Sequence, residues 1–201
     1  MSNSVFFDKL IIIRNIIFSN KPLELSNAYE AAEKKLGFQL PQFLKDFYLI
    51  FGEELGILKC MYDIAAPMEM SVDDGILLIA KENQNVCGYG IDIQSQKVIY
   101  IDESNGVKND IDKALDDFLL YLLALQCTEF FPSVGILEAE YAITLEKFMK
   151  RITLSKEDGA VYYIIDKSIG VRVGNEIYIC MHNDNDLEEF ENISGLLLEW
   201  L

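Results

Sequence analysis

The chain has 201 residues, 51% of them apolar and 25% charged. A chain of this length buries roughly 70% of its unfolded surface and needs no disulfide or metal staple. Seventeen Lys and Arg against thirty-three Asp and Glu leave a net charge of −16, which repels nucleic-acid phosphates and anionic lipid and attracts a basic partner. The same charge also serves solubility alone, and both readings stay open.

Four cysteines, Cys60, Cys87, Cys127 and Cys180, are scattered without a C-x-x-C pair. That spacing fits neither a zinc site nor a secreted disulfide framework; it fits reduced thiols in a cytoplasmic protein. Phe6 to Phe18 is strongly apolar, but Asp8, Lys9 and Arg14 interrupt it. It is too short to span a bilayer, and no small-residue cleavage site follows. Phe6, Leu10, Ile13 and Ile17 recur at helical spacing and predict a core-packing helix. The run Ile11-Ile12-Ile13 leaves a strand as the alternative.

Lys21-Pro22 ends that segment. Asn27 with Glu30 resembles a capping box for the next helix. Ala28, Ala32 and Leu36 form its apolar stripe, Glu33, Lys34 and Lys35 face water, and Gly37 closes it. Pro41 opens a third helix. Phe43, Leu44, Phe47, Ile50 and Phe51 make its buried face, and Gly52 stops it.

From Ile57 the period changes. Ile57–Tyr62 reads as a short strand and Pro67–Gly75 as a loop with a turn at Asp73-Asp74-Gly75. An antiparallel meander follows over 76–81, 86–93 and 97–102. In its middle strand Cys87, Tyr89, Ile91 and Ile93 share one face, and Gly88, Gly90 and Asp92 the other. A helix starting near Asp110 carries Leu115, Phe118, Leu119, Leu122 and Leu123.

Phe131 to Gly135 reads as a joint. Leu137, Tyr141, Leu145, Phe148 and Ile152 then form a helical stripe, with Glu138 and Glu140 at its start and Lys150 and Arg151 at its end. Strands are expected near 160–165, 170–173 and 176–181, with a hairpin turn at Gly174-Asn175. Asp186–Leu201 is expected to close the chain as a helix. Helix, three strands, helix thus occurs twice; the two passes do not align residue by residue, and an internal repeat stays open.

These elements predict an α+β fold: an antiparallel meander flanked by helices over residues 1–130. Residues 131–201 form a C-terminal α/β extension, separate or fused to the same sheet.

No catalytic signature stands out. Cys180 and His182 lie two apart on one strand and point in parallel rather than converging. Asp184, Asp186 and Glu188 have the spacing of a calcium loop. Glu189 stands where that loop needs glycine, however, and Gly195 where it needs its bidentate glutamate. No cofactor or metal is expected. The glycine pair Gly88 and Gly90 leaves a smooth strip on one strand face. It reads either as a groove for a peptide or a partner's loop, or as close packing of the protein's own elements. The acidic groups near loops are Glu53, Glu54, Asp73, Asp74, Asp92, Asp102, Glu103, Asp116 and Asp117. Each is solvated on its own terms, and together they would make an electronegative surface.

The order Leu36-Gly37…Leu40-Pro41…Phe43-Leu44…Phe47-Tyr48…Phe51-Gly52, then Leu78-Ile79-Ala80…Glu82-Asn83-Gln84, Gly88-Tyr89-Gly90-Ile91-Asp92 and Ala114-Leu115-Asp116-Asp117-Phe118-Leu119, resembles the SUKH superfamily. That superfamily holds the fungal Smi/Knr cell-wall-synthesis regulators and many bacterial immunity proteins. The likeness covers roughly residues 24–126. It implies a sheet flanked by helices and no enzyme activity. For bacterial members it implies a cytoplasmic immunity protein that binds and neutralises a cognate toxin, often a basic nuclease. The alternative it implies is a regulatory scaffold like the eukaryotic members. Partner binding is assigned to Glu53, Glu54, Asp73, Asp74, Glu82, Tyr89, Asp92, Asp102 and Glu103, with a monomer expected. A third reading is a small-molecule binder using Tyr89 and Gly90.

Overall fold

The computed structural model describes residues 3–18, 21–153, 161–165 and 168–201. The chain is α+β, with antiparallel sheets and flanking helices. It divides into two compact units. The first holds Met1–Ile12 and Pro22–Leu119; the second holds Ile13–Lys21 and Leu120–Leu201.

The first unit takes the part of α1 (Asn3–Ile17) up to Ile12, whose Phe6 and Leu10 are fully buried; Phe6 meets Phe43 edge-to-face at 5.2 Å. Helix α2 (Ala28–Leu36) ends at Gly37, whose φ of +80° is the left-handed conformation that glycine adopts without a Cβ penalty. Asn27 makes no side-chain cap. The cap bond comes instead from Ala28 N–H to Ser26 Oγ at 3.2 Å. Helix α3 (Gln42–Phe51) buries Leu44, Phe47, Tyr48, Ile50 and Phe51. Glu33 is drawn out of water by Lys45 at 2.8 Å and by Leu40 N–H at 2.8 Å. The expected strand at Ile57–Tyr62 is instead a single turn, α4 (Leu55–Leu58), which buries Ile57 and Leu58.

The strands of this unit are β1 (Tyr62–Ile64), β2 (Ser71–Asp73), β3 (Ile76–Glu82), β4 (Cys87–Asp92), β5 (Val98–Asp102) and β6 (Val107–Asp110). They run β1-β3-β4-β5-β6, with β2 also on β3. The predicted meander is therefore present. Its flanking strands escape the sequence pattern because they are three or four residues long. Asp74 and Gly75, with φ of 48° and 75°, turn β2 into β3. Helix α5 (Leu115–Phe130) starts later than Asp110, which ends β6.

In the second unit the order is β12-β7-β11-β10-β9-β8, again antiparallel. The strands are β7 (Ser133–Glu138), β8 (Lys150–Thr153), β9 (Val161–Ile165), β10 (Ser168–Val173), β11 (Glu176–Met181) and β12 (Glu199–Trp200). The predicted joint at Phe131–Gly135 and the start of the helical stripe are in fact β7. A Cβ on Gly135 would lie 2.7 Å from Leu198 Cδ1, so close packing selects a strand with glycine there. Only α6 (Ala142–Leu145) is α-helical within the expected 137–152 helix, and Leu145 is buried at its end. The Gly174-Asn175 hairpin is present, with Val173 opposite Glu176. Ala160, near the expected start of the 160–165 strand, lies outside the described residues. Helix α7 (Asp184–Ser194) stops at Gly195 (φ +68°), and the chain returns as β12 rather than continuing helical to Leu201. Leu137, Leu145, Ile177, Ile179, Leu187, Phe190 and Leu198 belong to its core.

Candidate functional site

The first unit holds a groove of ≈ 570 Å³ on one face of its sheet. Its floor is a row of facing residues across five strands. Asp63 on β1 faces Lys81 on β3, Lys81 faces Gly88 on β4, Gly88 faces Ile101 on β5, and Ile101 faces Lys108 on β6. Leu78, Ile79 and Ala80 add apolar lining.

The sheet curls around this groove. In strand order, Lys108 on β6 lies four spacings from Asp73 on β2, about 19 Å in a flat sheet. Yet Lys108 Nζ stands 3.2 Å from Asp73 and 3.7 Å from Asp74. One lysine and one aspartate side chain cannot bridge a flat sheet, so β6 and β2 must face each other. Two local features permit the bend. A register shift between Leu78 and Ala80 interrupts the β3–β4 ladder. Opposite it, Gly90 lets Ile76 and Leu77 fold in: a Cβ there would lie 2.3 Å from Ile76 Cγ2 and 2.9 Å from Leu77 O.

Gly88 has a different role. A Cβ on it would meet Glu103 Oε1 at 3.2 Å and Ala80 O at 3.3 Å. Its bare backbone lines the groove. Gly90 thus packs against Ile76 and Leu77 of β3, whereas Gly88, also buried, lies between the Ala80 carbonyl and the Glu103 carboxylate.

Three lysines line the groove, and each meets carboxylates. Lys59 pairs with Asp63 and lies 2.7 Å from Glu69. Lys81 lies 3.7 Å from Glu103. Lys108 is shared by Asp73 and Asp74. Glu69 is placed by the turn after β1. Its carboxylate accepts from Ala66 N–H at 3.0 Å, and Lys35 Nζ of α2 donates to the Met68 and Met70 carbonyls. Tyr48 of α3 pins the end of β1 by donating to Ala65 O at 2.6 Å. The Lys59 hydrogen bond, with that of Ala66, holds the Glu69 carboxyl below its ordinary range. Burial pulls the Lys59 ammonium down, but the hydrogen bonds it donates to Asp63 and Glu69 outweigh it and raise it.

Of the residues nominated from sequence, Asp73 and Glu103 line the groove, and Asp74 reaches its rim through Lys108. The others lie elsewhere. Glu53 accepts from Ser26 Oγ at 3.0 Å. Glu54 sits at the start of α4. Glu82 accepts from Val86 N–H at 3.2 Å. Asp92 and Asp102 close turns, accepting from Ser95 and from Ser104 and Asn105. Tyr89 is on the opposite sheet face from Gly88, stacked among Tyr62, Tyr100 and Phe118 at 4.9–5.7 Å.

Lys59, Asp63, Glu69, Lys81 and Lys108 were missed because the sequence reading followed acidic groups near loops. Their one signal was alternation: Asp63, Lys81 and Lys108 are charged positions on strands that share a face with glycine rather than with the core.

In the second unit, Cys180 is fully buried, and burial pushes its thiol far up. That opposes the thiolate a nucleophile needs. The His182 ring nitrogen Nε2 is 3.0 Å from Ile16 O, and its ring lies 5.0 Å from that of Phe131. Asp184 and Asp186 open α7, where Asn183 accepts from Asp186 N–H at 3.0 Å and Asp184 accepts from Ser133 Oγ. Among the described residues, no group of three or more metal-ligating side chains converges, and no helix is long and apolar enough to cross a membrane.

Comparisons with protein-family models, curated proteins and solved structures find no match to this chain.

Proposed function

We propose that this chain is a binding protein that neutralises a basic toxin by stoichiometric occlusion, as an immunity protein of the SUKH type. The observation that carries the reading is a concave sheet face, rimmed by charge, on a chain of net charge −16. Such a field raises encounter rates with a cationic protein by roughly 10–10³-fold at low salt. A groove of this kind recognises shape and charge, and its lysine–carboxylate pairs lock side chains without making a nucleophile. The motif order over residues 24–126 supplies the toxin-neutralising role, and the charge supplies the sign of the partner.

The test is co-expression with the product of the adjacent gene. Rescue from its toxicity, with a 1:1 complex on co-purification, is expected. A non-toxic neighbour, or toxicity that persists beside abundant folded protein, overturns the reading.

A further inference from the structure

The groove rim holds unequal numbers of opposite charges. Asp63, Glu69, Asp73, Asp74 and Glu103 stand against Lys59, Lys81 and Lys108, so five carboxylates meet three ammoniums and two negative charges remain in excess. The excess is not spread evenly. Lys81 has one carboxylate, Glu103, while Lys59 and Lys108 each serve two. The two acid-rich positions lie toward opposite ends of β3. Asp63 is opposite Lys81 and Asp73 opposite Ile76, five residues or roughly 16 Å apart along the strand. Between them along β3 lie Leu78, Ile79 and Ala80, which line the groove, while Gly88 and Ile101 stand level with Asp63 in the row across the strands.

We propose that this groove receives an extended segment of a basic partner protein, with two cationic side chains four residues apart flanking an apolar one. Residues i, i+2 and i+4 of an extended chain point the same way and span about 13 Å, and arginine length makes up the remainder. The apolar residue then lies over Leu78, and the outer two reach the Asp63–Glu69 and Asp73–Asp74 pairs. A planar guanidinium matches two carboxylates better than an ammonium does. Lys59 and Lys108 are the internal counter-ions at the two positions, and the incoming cations must displace or share them. The inference rests on the binding role proposed above and specifies where and by what chemistry the partner is held.

The probe is a capped pentapeptide with arginine at its first and fifth positions, valine at the third and alanine between. It is titrated into the full-length protein and followed by amide chemical shifts. Its charge-reversed counterpart with glutamate at both ends is the control. The arginine peptide is expected to bind at least about tenfold more tightly, with shifts centred on Leu78, Lys81 and Lys108. Replacing Asp73 and Asp74 together by Asn should abolish most of that difference. These side chains are 67% and 87% exposed, so the fold should tolerate the change. Lys108→Gln should tighten binding. Gly88→Val should block it, and the Asn double variant keeps the test decisive if that protein does not fold. Equal binding of the two peptides, or shifts confined to another face, overturns the proposal. So does a concentration-dependent dimer abolished by the Asn substitutions, which would assign the groove to a second copy of this chain. A toxin neutralised 1:1 with affinity unchanged by those substitutions overturns the groove assignment and leaves the binding role intact.

Discussion

Lys108 on the edge strand β6 reaches Asp73 on β2 at 3.2 Å, across a sheet in which four strand spacings separate them. That single contact shows that the first unit's sheet is rolled around a groove rather than laid flat. The roll depends on Gly90 and on the shifted register at Leu78/Ala80.

Gly90→Ala should therefore be costly. The added Cβ meets Ile76 Cγ2 and Leu77 O inside contact distance, and overpacking of this kind costs about 1–3 kcal/mol. Gly88→Ala should cost less, because its nearest contacts are at 3.2 and 3.3 Å and one of them is the movable end of Glu103. Urea denaturation of both variants gives the comparison. Equal losses would mean that the two glycines share one role.

Lys108→Gln should change global stability little, since exposed ion pairs contribute about 0–1 kcal/mol. Its local effect should be larger. Without the tie to β2, amides of β6 should exchange faster with solvent while those of β4 stay protected. Unchanged exchange in Val107–Asp110 would show that the pair is not what holds β6 over the groove.

Two turn carboxylates should titrate low. The Ser95 backbone and hydroxyl hold the Asp92 carboxyl below its ordinary 3.8, and the Ser104 hydroxyl and backbone do the same for Asp102. A folded pKa below the unfolded one means the turn is favoured fully above about 3.8, and that this contribution fades as pH falls through the lower folded value. NMR titration should find both midpoints below 3.8, with the turns at residues 92–96 and 102–106 loosening only in acid. Midpoints at or above 3.8 would contradict these hydrogen bonds.

Cysteine labelling should follow burial. Cys127 and Cys180 are fully buried, and Cys60 and Cys87 are half-buried. Alkylation of the native protein followed by mass spectrometry should modify Cys60 and Cys87 first, and Cys180 only on unfolding. Early modification of Cys180 would reopen a role for its strand in chemistry.

Much of the first unit was legible because its signals are local. Phe43 to Phe51 repeats at helical spacing, Gly37 and Gly52 mark helix ends, and β3 to β5 alternate or run apolar between turn residues. The second unit misled at Ser133–Glu138. Leu137, Leu145 and Phe148 fit a helical period, but β7 is fixed by pairing with β11, about forty residues away, and by Leu198 against Gly135. Local propensity cannot report partners so distant. The groove was half legible for the same reason. Gly88 flagged a bare strand face and Asp73, Asp74 and Glu103 flagged charge, but Lys108 meets Asp73 only through curvature that no short window encodes.

The central claim is that this chain binds a cationic protein and occupies it. Calorimetric titration of the purified protein against the product of the adjacent gene tests it most directly. Saturation at one partner per chain is expected, with affinity falling as salt rises. No binding heat at low salt, or an affinity indifferent to salt, would contradict it.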